Sequence, residues 1–147
     1  MEIFKRLSGP VKGSVVGYDH ETYVSEADDA NRNWCLGYMM MENKSFPDCM
    51  ATLDDVLQLY FQTCSITSTS KAMSVLAATL ANGGLNPLTG DNVFSADHIR
   101  CCLPLMMTCG MYDYSGQWAF DVGLPAKSGV GGCIFSVIPN VCGISVW

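Results

Sequence analysis

The chain has 147 residues, enough for one domain that buries a core without covalent staples. Only 15% of the residues are charged, against a usual figure of about 25%, while 49% are hydrophobic, so some of the surface is expected to be covered by something else. A net charge of −6, with only eight Lys and Arg spread along the chain, argues against nucleic acid as a partner, since phosphates need a basic face, and leaves a small neutral or zwitterionic ligand as the better fit.

No apolar run reaches the roughly 18 residues that a membrane span needs. The richest stretch, Gly129 to Trp147, is interrupted by Gly131, Gly132, Pro139, Asn140 and Gly143. Met1 is followed by Glu2, Lys5 and Arg6, with no secretory or transit pattern visible. The eight cysteines form no C-x-x-C pair, and only His20 and His98 could join them, so they read as free, buried thiols in a reducing compartment and no metal site is expected.

In chain order, Asp28 to Met41 suits a helix, with an Asp/Asn-rich start and then Trp34, Leu36, Tyr38 and three methionines. Thr52 caps a second helix in which Leu53, Leu57 and Phe61 run beside Val56, Tyr60 and Cys64 at i, i+4 spacing. A third spans about Thr69 to Ala81, with Ala72, Val75, Leu76, Thr79 and Leu80 inward and Asn82-Gly83-Gly84 as its left-handed stop. Ser95 caps a fourth, through Ile99, Cys102, Leu103 and Met106, with a kink expected at Pro104. After Gly110 the pattern alternates, Trp118, Phe120 and Val122 on one side, which predicts a strand. Val130 to Ile138 and Val141 to Trp147 flank Pro139-Asn140 as an antiparallel hairpin. Helices followed by a meander predict one α+β domain, and an apolar strand still running at Trp147 predicts an unfinished sheet.

Two segments carry more than packing requires. Cys109 to Gly116 is a glycine-bracketed loop with two tyrosines, and Gly123 to Gly132 places a lysine and a serine before glycines that leave backbone N–H groups approachable. Lys127-Ser128-Gly129 resembles the Lys-Thr-Gly element of penicillin-binding proteins and class A β-lactamases. In sequence, Thr108-Cys-Gly-Met-Tyr-Asp-Tyr-Ser-Gly116 followed by Val122-Gly-Leu-Pro-Ala-Lys-Ser-Gly-Val-Gly-Gly132 is similar to the long signature of serine-dependent glutaminases. Ala77-Ala-Thr-Leu-Ala-Asn-Gly-Gly84, Ser25-Glu26 and Asn31-Arg-Asn33 match that family in the same order.

The resemblance covers nearly the whole chain and implies a β-lactamase/transpeptidase-like α+β fold, helices packed on an antiparallel sheet, here incomplete at both ends. It implies hydrolysis of L-glutamine through a serine acyl-enzyme, with neither metal nor organic cofactor. Glu26 matches the carboxylate that holds the substrate α-ammonium. Asn33 and Tyr60 match donors to the α-carboxylate, Tyr112 the proton-shuttling tyrosine, and the Val130 N–H one half of the oxyanion hole. The family's S-x-x-K nucleophile and a further substrate-holding asparagine lie upstream of the Glu26 segment and have no counterpart here. The one S-x-x-K present, Ser68-Thr69-Ser70-Lys71, reads as a helix cap.

This partial domain, residues 1–147, is therefore expected to be inactive alone. The family further implies homo-oligomers, usually tetramers, and an intracellular home, mitochondrial in an animal and cytoplasmic in a bacterium. A non-catalytic oligomerising fragment that modifies a full-length glutaminase is the alternative. A penicillin-recognising hydrolase is disfavoured by Glu26, Asn33 and the Gly-Met-Tyr-Asp loop.

Overall fold

The computed structural model describes residues 1–49 and 52–147. In chain order the elements are α1 (Glu2–Ser8), β1 (Val16–Tyr18), α2 (His20–Asp28), α3 (Asn31–Glu42), α4 (Leu53–Cys64), β2 (Ile66–Ser68), α5 (Ser70–Ala81), α6 (Ala96–Cys109), a 3-10 turn (Tyr112–Tyr114), α7 (Ser115–Asp121), β3 (Ala126–Ser128), β4 (Ile134–Ile138) and β5 (Cys142–Val146). The described residues fall into two compact units, one of residues 1–16 and 68–147, the other of residues 17–67. The architecture is α+β with antiparallel strands, as the sequence predicts. Among the described residues no helix is long and apolar enough to cross a membrane.

In the larger unit α5 is the central element. Its cap Thr69 accepts a hydrogen bond from the Ala72 N–H at 3.2 Å, and Gly83 and Gly84 take positive φ just beyond its end. Ala72, Val75, Leu76, Thr79 and Leu80 are all buried, the inward set that helical spacing predicts. The core unites Leu76, Ala77 and Leu80 with Leu7, Ile99, Met106 and Val137, each fully buried large side chain contributing about 1.5–3 kcal/mol. β3, β4 and β5 form one antiparallel sheet, with Ala126 opposite Ser136 and Ile134 opposite Val146. The hairpin turns at Pro139-Asn140 as expected: the Val141 N–H donates to the Ile138 carbonyl at 3.0 Å and Asn140 has φ 61°, the arrangement a type II turn requires. Gly143 of β5 lies directly on α5, where an added Cβ would stand 2.1 Å from the Ala78 nitrogen.

In the smaller unit Leu53, Leu57 and Phe61 of α4 bury their i, i+4 stripe with Ala30, against Tyr23, Ala27, Trp34 and Phe46. Thr52 caps α4 as predicted, accepting from the Asp55 N–H at 3.1 Å.

Five expectations are corrected. The acidic stretch before Asp28 is the separate helix α2, so α3 begins at Asn31; Asp19 caps α2, accepting from the Glu21 N–H at 3.1 Å and the Thr22 hydroxyl at 2.6 Å. The alternating residues Trp118, Phe120 and Val122 do not form a strand. Trp118 and Phe120 lie in α7, where Gln117 donates to Asp121 at 2.8 Å across one turn; a window this short fits periods of 2 and 3.6 equally well. Val130 stands before the strand, because residues 129–132 close a turn and β4 starts at Ile134. Thr69 caps α5, while Ser68 ends β2. The cysteines are free, but five are exposed and three partly exposed, since most fall on the outer sides of their elements.

Candidate active site

The loop after α6 is built around Ser115. The Met111 N–H donates to the Ser115 hydroxyl oxygen at 2.9 Å, and that hydroxyl donates to the Tyr112 carbonyl at 2.7 Å. Met111 and Ser115 are buried, so the residues between them arch outward. Tyr112 takes φ 51°, a left-handed backbone rare for a non-glycine residue and costing of order 1–3 kcal/mol, sustained here by the surrounding hydrogen bonds. Its side chain is 60% exposed.

Gly110 brings this loop onto β3. Its backbone is ordinary helix, φ −78°, so glycine is not needed for conformation. It is needed for space: an added Cβ would lie 1.7 Å from the Ala126 carbonyl oxygen and 2.3 Å from that of Met106. The close approach lets the Ser128 N–H donate to the Gly110 carbonyl at 3.0 Å. Lys127 then joins the two segments, its Nζ 4.5 Å from the Tyr112 ring centroid while donating to the Ser128 carbonyl at 2.6 Å. A cation over an exposed ring is worth about 0.5–1 kcal/mol and fixes the orientation of the ring.

Beyond β3, the Gly132 N–H donates to the Gly129 carbonyl at 3.0 Å, and the Gly129 N–H to the Cys133 carbonyl at 2.8 Å. Val130 stands in the middle of this turn with its side chain 93% exposed. Among the described residues its backbone N–H has no protein acceptor. An unpaired N–H in an exposed tight turn is a donor open to an acceptor from outside the chain.

Glu26, Asn33 and Tyr60 belong to the smaller unit. Glu26 is exposed near the end of α2, Asn33 is half-buried in the first turn of α3, and Tyr60 is on the exposed side of α4 rather than in its buried stripe. The Tyr60 ring packs edge-on to that of the buried Phe61, centroids 5.8 Å apart. The ring helices around them share one core, with the Tyr23 hydroxyl of α2 donating to Gln58 of α4.

Two contacts join residues that lie far apart in the chain. The contact of Lys127 with Tyr112 joins positions fifteen apart, and only the Lys-Ser-Gly pattern hinted that the lysine matters. Trp147 donates its indole N–H to the Gly131 carbonyl at 2.8 Å, a contact that follows from the hairpin register and could have been found by counting back across it.

The sequence model of the family described as Glutaminase matches residues 1–147. The liver-type mitochondrial glutaminase of Rattus norvegicus is 52% identical over 145 residues, which are 97% of this chain and 23% of that protein. A glutaminase of Microcystis aeruginosa is 40% identical over 151 residues, covering 100% of this chain and 41% of its own length. Among solved structures, a Bacillus subtilis glutaminase in covalent complex with 5-oxo-L-norleucine, formed by reaction with 6-diazo-5-oxo-L-norleucine, superposes with a TM-score of 0.83 at 31% identity, over 98% of this chain and 49% of that one. The chain thus spans about a quarter to a half of the length of these relatives.

Proposed function

The chain belongs to the glutaminase family, and from that premise we propose that residues 1–147 are part of a glutaminase domain that hydrolyses L-glutamine to L-glutamate and ammonia through a serine acyl-enzyme. Glu26 pairs with the substrate α-ammonium, and Asn33 and Tyr60 donate to its α-carboxylate. The serine oxygen attacks the γ-carbonyl carbon, its proton passes by way of the Tyr112 hydroxyl toward the leaving nitrogen, and the Val130 N–H donates to the carbonyl oxygen as it gains negative charge. The C–N bond breaks, ammonia departs, and an ester remains. Water then attacks that ester, glutamate leaves, and the proton returns to the serine. Lys127 keeps the Tyr112 ring in place through both steps.

The single observation that carries this reading is that Lys127 of β3 holds the Tyr112 ring while the turn that directly follows β3 leaves the Val130 N–H unpaired. The Bacillus relative adds support, since the molecule it reacted with is an α-amino acid whose ketone stands where glutamine has its amide carbonyl.

The attacking serine comes from a segment outside these 147 residues. Within them the one S-x-x-K is Ser68 to Lys71, where Thr69 is occupied as the α5 cap and the Lys71 ammonium donates to the Lys12 carbonyl at 2.8 Å. That arrangement gives Ser68 no base, and it is the observation that favours the second reading, a non-catalytic chain that modifies a full-length glutaminase. Assembly as a homotetramer goes with either reading and is supported by the exposed Leu36, Tyr38 and Met39 on α3. So does a mitochondrial location in an animal cell or a cytoplasmic one in a bacterium.

The test is ammonia release from L-glutamine by the 147-residue chain and by the same chain joined to the upstream S-x-x-K segment of a relative. Turnover by the joined protein alone is expected. Turnover by the short chain would overturn the external serine, and silence from both would leave the non-catalytic reading.

A further inference from the structure

The turn at residues 129–132 has a demanding task under the proposed function, because one backbone N–H must keep a fixed direction. Its sequence works against that: Gly129, Gly131 and Gly132 can each reach conformations closed to other residues, and all four positions are exposed. Around Gly131 there is nothing within 4 Å of the place a Cβ would take, so packing does not immobilise it. Two hydrogen bonds close the turn at its base, from Gly132 to Gly129 and from Gly129 to Cys133. The first of them links the Gly131–Gly132 peptide, through its N–H, to the carbonyl of the Gly129–Val130 peptide, so the direction of the Val130 N–H follows that of the Gly131–Gly132 peptide.

The other side of that peptide, its Gly131 carbonyl, is held by Trp147. The β4 and β5 register sets Ile134 opposite Val146, which carries residue 147 to the level of Cys133, beside the turn. From there the indole N–H donates to the Gly131 carbonyl at 2.8 Å, and the same ring edge lies against Gly132, where an added Cβ would be 3.4 Å from the indole nitrogen. Among the described residues its hydrogen-bonding contact is with the turn.

We infer that Trp147 is a positioning residue for glutamine hydrolysis, its indole N–H pinning the Gly131 carbonyl and thereby fixing the direction of the Val130 N–H toward the developing oxyanion. The inference rests on the proposed function and adds to it a residue outside the loop and the Lys-Ser-Gly segment. Substrate contacts do not pass through Trp147, so its loss acts on the transition state and leaves ground-state binding in place.

The experiment uses the chain joined to the S-x-x-K segment of a relative, as wild type, Trp147→Phe, and Trp147→Phe with Gly131→Ala. Deleting an oxyanion donor outright costs about 100-fold to 1000-fold in kcat, so loosening one is expected to lower kcat by about 10-fold, with KM within about twofold. The alanine fits the open space at Gly131 and narrows its freedom, so the double variant is expected to recover part of kcat. In wild type the Trp147 indole proton, followed by NMR, should exchange with solvent more slowly than an exposed indole. An unchanged kcat for Trp147→Phe, or a loss carried entirely by KM, would overturn the positioning role. A wild-type protein that releases no ammonia would overturn the parent reading and this one with it; a slowly exchanging indole proton in that protein would show that the clamp exists but serves something else.

Discussion

Replacing Gly110 by alanine separates a glycine required for space from one required for conformation. The new Cβ would stand 1.7 Å from the Ala126 carbonyl oxygen, about half the ordinary contact distance, and both obstacles are backbone. Either β3 or the end of α6 must move by more than an ångström. The movement breaks the bond from the Ser128 N–H to the Gly110 carbonyl, worth about 0.5–1.5 kcal/mol, in addition to the roughly 1–3 kcal/mol of an overpacked core. Together these give a loss of about 2–4 kcal/mol, or roughly 5–15 °C in Tm for a chain of this size. Gly116, six residues on, is the control. Nothing lies within 4 Å of its added Cβ and it sits in the first turn of α7, so Gly116→Ala should be neutral or stabilising by up to about 1 kcal/mol. Thermal melts of both variants by far-UV circular dichroism decide the matter. A Gly110→Ala protein that melts within about 2 °C of the parent would refute the close-packing account of the loop.

Two further outcomes are expected. Thr69→Ala should lower stability by about 1 kcal/mol through loss of the α5 cap, whereas Ser68→Ala should change it by less than about 0.5 kcal/mol and leave the activity of the joined protein intact, both read from urea midpoints and ammonia release. Asp91 is held below its ordinary value first by its hydrogen bond to Arg6 and then by the charge of that guanidinium, the two side chains meeting through bonds of 2.7 and 2.8 Å. A lowered folded-state pKa means that the pair stabilises the protein above the ordinary carboxylate value of 3.8 and loses that effect as pH falls through and below it. Urea midpoints measured down this range should therefore fall less steeply for Asp91→Asn than for the parent.

The parts of the fold legible in the chain were those with local, redundant signals. α4, α5 and α6 each combine a side-chain cap with an apolar stripe, and the hairpin has Pro139-Asn140 at its corner. α2 escaped notice because its nine residues are mostly polar, and its cap, Asp19, sits in a run where any acidic residue could serve. α7 escaped because Phe120, 87% exposed, made a helix look like a strand face. At the candidate site the motif containing Lys127 and Ser128 was readable, whereas the left-handed Tyr112 backbone depends on Ser115, and the Gly110 approach depends on β3 folding back across it. Contacts of that kind are fixed by tertiary register, which no window along the chain contains.

Everything proposed depends on Tyr112 and the Val130 N–H acting on one amide, the first on its leaving nitrogen and the second on its carbonyl oxygen. This is tested most directly by treating the joined protein, labelled with nitrogen-15, with 6-diazo-5-oxo-L-norleucine and following the Val130 amide by NMR. A ketone oxygen seated in the oxyanion position should shift that amide strongly downfield and slow its exchange, while amides in α1 stay in place. A covalent adduct that leaves the Val130 amide where it was would contradict the account.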